Sequence, residues 1–585
     1  MKRNIIYYVN FFAVLIVALS FGSCTDWLQQ RPLAQTGIEE YFITGGGTAC
    51  INVITGAYSP LQWEYNKTYY PEWFIGDICS DDALKGGGGI SDMAVAYDME
   101  NFQTIPDNKL LLDFYRAQYM GIARCNEIFK YVPNVPTDSV MNENLKQRLL
   151  GEAYFLRAMY YFKLVRVFGG TALVTTPLEG ESQWRQPRAS MSAIYDQIIG
   201  DLQAANARLW KKENYPDADL GRATKGAAQA MLLKVNLYRA GWTEAGFMQG
   251  NAADYYQQAK LYGDSLVNHQ NVTGAYSLNS NYWDNFAIAG ENGPESVFEV
   301  QYSADPQGDY GDGAVGGNGF TRGTFTIIMT RSISKTISGG SVGWGFNKPT
   351  QNLYNEYEVT AGKPDPRRDL TMWRPDAAML SFNTQNYAWE VGPNWNSNLA
   401  QMINPAVEIY LGDPYLSTKY AMYTDGPDGG VYKLEHATRG PINTKVIRYA
   451  DVLLMYAEAC VATNDLTNAK NALNKVRERA RGGDASILPD FPYGSYADNA
   501  ADLTKAIRHE RRVELAMECH RWFDLCRWGI VRDVMEAYRT TPGAESSEAQ
   551  ADMNPFIKGK NELFPIPQDE MNLNGYTQAD QNPGY

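Results

Sequence analysis

At 585 residues the chain is long enough for several domains or one large one. Its formal net charge of −14 argues against nucleic-acid binding, which needs clustered Lys and Arg. Seven Cys with no Cys-x-x-Cys pair and four scattered His (His269, His436, His509, His520) exclude the usual zinc patterns. Aromatic residues reach 13%, with 39 Tyr. Such a load serves either as core filler or as flat platforms for ligands.

The chain opens with Lys2 and Arg3, an apolar run from Ile5 to Leu19, then Ser20, Phe21, Gly22, Ser23 and Cys24. The run is short for a membrane span and has signal-peptide flanks. Small residues before a Cys resemble a lipoprotein cleavage site, although Phe21 stands where an aliphatic residue is more usual. Residues 1–23 are therefore expected to be a signal peptide, with Cys24 acylated at the new N-terminus. A plain secretory signal ending near a Cys is the other reading. The six remaining Cys sit mostly in apolar helical contexts and read as buried free thiols.

Residues 36–59 read as a turn followed by a helix. From Trp63 to Asp82 aromatics mix with carboxylates, Trp73 and Asp81 among them. Gly86 to Gly89 lack the Gly-Lys-Ser/Thr of a phosphate loop and read as a flexible loop. Helical periodicity then places a helix between Asp107 and Tyr131, interrupted on its apolar face by Gln118, and a longer one from about Asn142 to Phe168. The second alternates small Ala153 and Ala158 with large Tyr154, Phe155, Tyr161 and Phe162, as in the stacked pairs of tetratricopeptide repeats. Further helices are expected over 190–212, 224–241 and 252–269.

Residues 271–445 are different: periodicity fades, Gly is dense between 308 and 345, and Trp283, Trp344, Trp373, Trp389 and Trp395 are spread through it. Irregular segments on a rigid scaffold are where binding residues concentrate. Trp344 lies between Gly343 and Gly345, with little local cover. Two roles stay open for it: packing under the loop, or offering its face to a ligand. Asn318, Phe320, Trp283 and Trp73 are further candidates if the fold brings them close, with Asp81 as a hydrogen-bonding partner. Gly339–Gly343 spells Gly-x-Ser-x-Gly and Gly311–Gly316 spells GxGxxG, but no helix follows the first and no strand leads into the second.

Repeat logic returns at Tyr449. YADVLLMYAEACVATND reads as one helix and LTNAKNALNKVRERA as its partner, Leu453, Tyr456 and Ala457 facing Ala469, Leu473, Val476 and Ala480. The next stretch, IRHERRVELAMECHRWFDLCRWG from Ile507 to Gly529, is rich in charge and Trp. Opposite charges fall at i, i+3 in Arg511–Glu514, Glu518–Arg521 and Asp524–Arg527, which on one continuous helix would support each other. Arg beside Trp and Asp predicts a partly buried ion-pair network locking helices together, with Trp522 and Trp528 supporting the fold. His509-Glu510 opens an apparent HExxH, but Val513 replaces its second His.

That stretch, ER-x-x-EL-x-x-E-x-x-RW-x-DL-x-RWG, closely resembles the C-terminal signature of the SusD/RagB family. Cys519 stands where the family usually has Gly. Further matches are TDWLQQRP after Cys24, the aromatic-Gly end of GEAYFLRAMYYFKLVRVFGG, Asp365-Pro366-Arg367-Arg368, Arg448-Tyr449 with Glu458-Ala459, and the closing LFPIP and QNPGY. The resemblance implies an outer-membrane, cell-surface, lipid-anchored protein that captures nutrient for a SusC-like TonB-dependent transporter, over which it acts as a lid. It implies a mainly α fold of tetratricopeptide-repeat-like helix pairs with a large irregular loop-rich insertion. The expected layout is helical repeats over 24–270, a ligand-face insertion over 271–445, and helical repeats with the family tail over 446–585. The expected function is non-catalytic oligosaccharide binding without a cofactor or metal. Peptide binding, as in the RagB branch, is the alternative. A surface glycoside hydrolase comes third, since adjacent carboxylates such as Asp81-Asp82 do not establish a facing pair.

Overall fold

A computed structural model describes residues 37–62, 72–87, 89–268, 276–303, 345–373, 415–417, 419, 440–541 and 553–585. Among these the fold is mainly helical. Helix α1 (Ile38–Tyr58) is followed by α2 (Lys109–Tyr131), α3 (Glu143–Phe168), α4 (Met191–Arg208), α5 (Lys225–Glu244) and α6 (Ala252–Val267). Each packs on the next, and α6 packs directly on α8 (Tyr449–Ala462), which pairs with α9 (Leu466–Ala480) and meets α10 (Ala500–Glu514). The short helix α7 (Pro366–Thr371) lies between α6 and α8 in the chain, and α11 (Arg521–Arg527) follows α10. The stack is thus continuous in space although more than 180 residues separate α6 from α8, and the pairing is tetratricopeptide-repeat-like.

Local chemistry explains where the helices begin. Asn108, Asn142, Ser190, Thr224, Asn251, Asp465 and Asn499 each precede a helix and accept an N–H from its first turn, as Asn142 does from Leu145 at 2.9 Å. Between them, α3 is buried almost all round, so neighbours cover it on several sides. The expected small-against-large packing is present. Gly121 of α2 leaves room for the Tyr160 ring, because a Cβ there would lie 2.3 Å from it, and the Tyr160 hydroxyl reaches the Ala57 carbonyl of α1 at 2.6 Å. Gln118, the polar interruption on α2, is buried and donates to the Phe114 carbonyl one turn back.

Strands are few and short. β1 (Ala83–Gly86) pairs antiparallel with β3 (Phe346–Pro349), and β2 (Ser296–Val300) with β4 (Thr444–Arg448). The second pair ties the two sides of the loop-rich stretch together just before α8. The glycines after Lys85, read from the sequence as a flexible loop, are tied down at Gly86, Gly87 and Gly89. Gly86 ends β1, the Gly87 N–H donates to the Gly345 carbonyl at 2.9 Å, and the buried Lys85 ammonium donates to the carbonyls of Gly86, Gly89 and Asp92. An ammonium with three donors and three carbonyls around it organises the turn.

The stretch Ile507–Gly529 is not one helix. α10 stops at Glu514, and residues 515–520 form a turn in which Met517 and Cys519 have φ of 62° and 65°. A left-handed residue ends a right-handed helix. Cys519 therefore occupies the conformation that glycine adopts freely. The Gly76 position lies so close to it that a Cβ there would fall 2.6 Å from the Cys519 Cα. All six Cys among the described residues are free, five of them buried and Cys519 half-buried.

Candidate functional site

The turn at 515–520 is the centre of a buried charge hub. Arg448, at the end of β4, donates to Glu518 at 2.7 Å, to Glu295 at 2.8 Å, to Glu514 and to the Glu514 carbonyl. Arg367 at the start of α7 joins Asp365 (2.7 Å), Glu510 and Glu514 (2.8 Å). Arg479 of α9 joins Glu295 and Glu514, and the Lys419 ammonium donates to Glu518 at 2.7 Å. Burial alone would raise the Glu514 carboxyl, but Arg479, Arg448 and Arg367 hold it far below the carboxylate range. The Asp-Pro-Arg motif is structural here, its Asp365 and Arg367 joined to the hub.

A second tier surrounds this centre. Arg511 pairs with Asp451 and Asp524, each at 2.9 Å, and Arg527 with Asp524 at 2.8 Å and with Glu458. Of the three i, i+3 pairs read from the sequence, only Asp524–Arg527 forms. Arg511 and Glu518 instead take partners 60 and 70 residues away: Glu514 is taken by Arg367, Arg448 and Arg479, and the turn at 515–520 breaks the helix between Glu518 and Arg521. Trp522 is 1% exposed, and the Trp528 indole N–H donates to Glu458 at 3.0 Å. His509 bridges Glu356 at 2.7 Å and Glu358 at 3.2 Å, fastening the segment before α7 to α10. Burial lowers the affinity of this imidazole for its proton, yet the two carboxylates overrule it and hold it up to about 9.

The candidate ligand residues divide into two groups. Three lie in the described fold, and the structure gives them other roles. Trp73 is 2% exposed, with the Phe74 ring tilted against it at a centroid distance of 4.0 Å, so the indole is not open to a sugar. Trp283 is 6% exposed in a small apolar cluster with Tyr282, Phe286, Leu370 and Ile442. Asp81 is buried against two guanidiniums, Arg512 at 2.9 Å and Arg521 at 2.8 Å, and burial, opposed by those charges, leaves it at about 2. Its neighbour Asp82 pairs with Arg512 at 2.7 Å, so the adjacent carboxylates are structural anions facing arginine rather than an acid–base pair facing each other. Trp344, Phe320 and Asn318 lie outside the described residues, as does Cys24.

The frame that carries the second group is described. The stretch between 303 and 345 leaves from β2 and returns at β3. Asp77, missed from the sequence, fixes the return point. One of its oxygens accepts the Asn347 side-chain amide at 3.0 Å and the other the Cys519 backbone N–H at 2.9 Å. Burial pushes its carboxyl up to about 7 despite those two bonds. Only its closeness to Trp73 in the sequence hinted at it, and the partners lie 270 and 442 positions on. Among the described residues no cluster of three or more His, Cys, Asp or Glu is placed to hold a metal ion, and no helix is long and apolar enough to cross a membrane.

Comparison with known proteins places this architecture. The profile of the SusD family matches residues 294–585, and one described as starch-binding and associating with the outer membrane matches residues 52–237. A SusD-like protein of Bacteroides ovatus is 25% identical, over 88% of this chain and 81% of its own. SusD-like protein P25 of Formosa agariphila is 25% identical over 98% and 97%. Among solved structures, a laminarin-binding SusD-like protein superposes with a TM-score of 0.69 at 27% identity, covering 92% of this chain and 99% of that one. A SusD homologue from Bacteroides thetaiotaomicron reaches 0.73 at 23% identity over 94% and 99%, which speaks for the fold. With its helix stack, its arginine–carboxylate hub and both profiles matched, the chain belongs to the SusD/RagB family.

Proposed function

We propose that this protein is a non-catalytic, glycan-binding lipoprotein of the outer-membrane surface, anchored through Cys24, which passes oligosaccharide to a SusC-like TonB-dependent transporter. The observation that carries the reading is the match, at 27% identity over 92% of the chain, to a protein described as laminarin-binding. The profile described as associating with the outer membrane supports the location. A binder cannot move its ligand across a membrane by itself, hence the transporter partner.

The ligand face in this reading is the loop-rich stretch 271–445, held by the helical regions on either side. Trp344, Phe320 and Asn318 are its candidate contacts. Apolar faces of sugar rings stack on aromatic side chains while polar groups bond the hydroxyls. The test is a glycan array run beside a peptide library, with laminarin oligosaccharides included and products assayed for new reducing ends. Glycan retention without cleavage is expected. Retention of peptides alone supports the RagB-type alternative, and new reducing ends would establish a hydrolase.

A further inference from the structure

A cleft of about 490 Å³ opens between the extended segment 276–280 and the C-terminal end of α9, over the first two turns of α8. Small-molecule sites are on the order of 300–1,000 Å³. Leu278, Leu453 and the rings of Tyr276 and Tyr449 give it an apolar lining.

The two phenols differ. The Tyr276 hydroxyl is engaged with Thr224 Oγ1 at 3.0 Å, and the Lys212 ammonium sits 5.2 Å from its ring centroid. Tyr449 is as deeply set, 6% exposed, yet its hydroxyl has no hydrogen-bond partner among the described residues. Burial pushes that phenol up to about 12, so it remains a neutral donor and acceptor. A hydroxyl without a protein partner, on a largely buried ring at a cleft wall, is one that a ligand can satisfy.

The charges around the cleft point to a neutral ligand. Arg479 is held by Glu295 at 2.8 Å and by Glu514, so it is already neutralised. Lys475 and Glu478 stand exposed at the rim with opposite signs. Ser277 and Ser280 add hydroxyls beside them.

We propose that this cleft is a second sugar site, seating one pyranose ring with its apolar face on the leucine and tyrosine lining and a ring hydroxyl bonded to Tyr449 Oη. A neutral ring with one apolar face and a girdle of hydroxyls matches an apolar floor under a polar rim of balanced charge. All the residues that line the cleft belong to the described fold, and the proposal is tested independently of Trp344, Phe320 and Asn318.

The experiment soaks crystals of the mature chain, starting at Thr25, in glucose, galactose, mannose and laminarihexaose in turn. It then titrates the bound sugar calorimetrically against wild type and Tyr449→Phe. A ring in the cleft in at least one soak is expected, with affinity about tenfold weaker in Tyr449→Phe, the loss of one hydrogen bond. Lys475→Ala with Glu478→Ala, both exposed and outside the core, should weaken the same binding in a folded protein. A cleft empty in all four soaks overturns the proposal, as does equal affinity in wild type and Tyr449→Phe. Sugar seen only on the loop-rich face would overturn the cleft and leave the proposed function standing. Sugar seen only in the cleft would do the reverse for the loop-rich face.

Discussion

The helices α2 to α5 and the hub around 444–528 are both well buried, but they differ in the balance of apolar and charged side chains. In the first, residues such as Leu156, Phe155 and Leu232 have no exposed surface, the helix ends are capped by a residue one to three positions away, and the buried charges form separate small groups such as Arg157 with Asp201 at 2.7 Å. In the second, Arg367, Arg448, Arg477, Arg511 and Arg527 are among the largest fully buried side chains, and their partners come from remote segments. Apolar burial is non-directional and tolerates repacking, whereas a buried ion pair needs every partner in place. The helix stack is therefore a forgiving scaffold, and the hub is the joint that fixes how its C-terminal end meets the loop-rich stretch.

Removing one hub member tests that difference most severely. Arg448→Met takes one guanidinium from Glu295, Glu514 and Glu518, leaving them to Arg479, Arg367 and Lys419, and should cost about 3–5 kcal/mol in chemical denaturation. A cost below about 1 kcal/mol would show that the hub is dispensable. In the helix stack, Leu156→Ala should cost about 2–5 kcal/mol through lost transfer energy and a residual cavity. Unlike Arg448→Met, it should leave the acid side of the stability–pH curve unchanged in shape. Matching pH profiles for the two variants would erase the distinction.

Much of the helix stack was legible in the sequence because its signals are local. Asn142 before an apolar-periodic run marks α3, and the spacing of Ala469, Leu473, Val476 and Ala480 marks the buried face of α9. A milder prediction follows from the same locality: Asn142→Ala should lose about 1 kcal/mol, seen as a lower denaturation midpoint with unchanged cooperativity. The hub was legible only as composition. The charge string predicted an ion-pair network, but Arg511 reaching Asp451 and Arg512 reaching Asp82 are contacts over 60 and 430 positions, which no local period encodes. The continuous-helix reading failed for a related reason. Met517 and Cys519 are ordinary helix-compatible residues, yet both are left-handed here, and the Cys519 N–H bonds to Asp77, 442 positions away. Aromatic content misled in the same way at Trp73, since a ring that fills a core and a ring that meets a sugar are the same letter.

The smallest effect sharpens the edge between hub and loop-rich stretch. The His509 proton is held up to about 9 against an ordinary 6.5. A raised folded value means the His509 contribution is complete below pH 6.5 and is lost as pH rises through about 9. The melting-temperature gap between wild type and His509→Gln should be widest near about pH 6 and close by about pH 10. A gap independent of pH would show that the bridge to Glu356 and Glu358 is not charged.

The most direct test of the whole account measures melting temperature and glycan affinity together for Trp522→Ala and Trp344→Ala, using the glycan the array selects. Trp522→Ala, emptying a fully buried site, should lose about 3–5 kcal/mol of stability. Trp344→Ala should keep the wild-type melting temperature and lose roughly tenfold to a hundredfold in affinity, by analogy with aromatic stacking platforms worth about 1–3 kcal/mol. Unchanged stability in Trp522→Ala with wild-type affinity in a folded Trp344→Ala would contradict the assignment of scaffold to the hub and ligand to the loop-rich face.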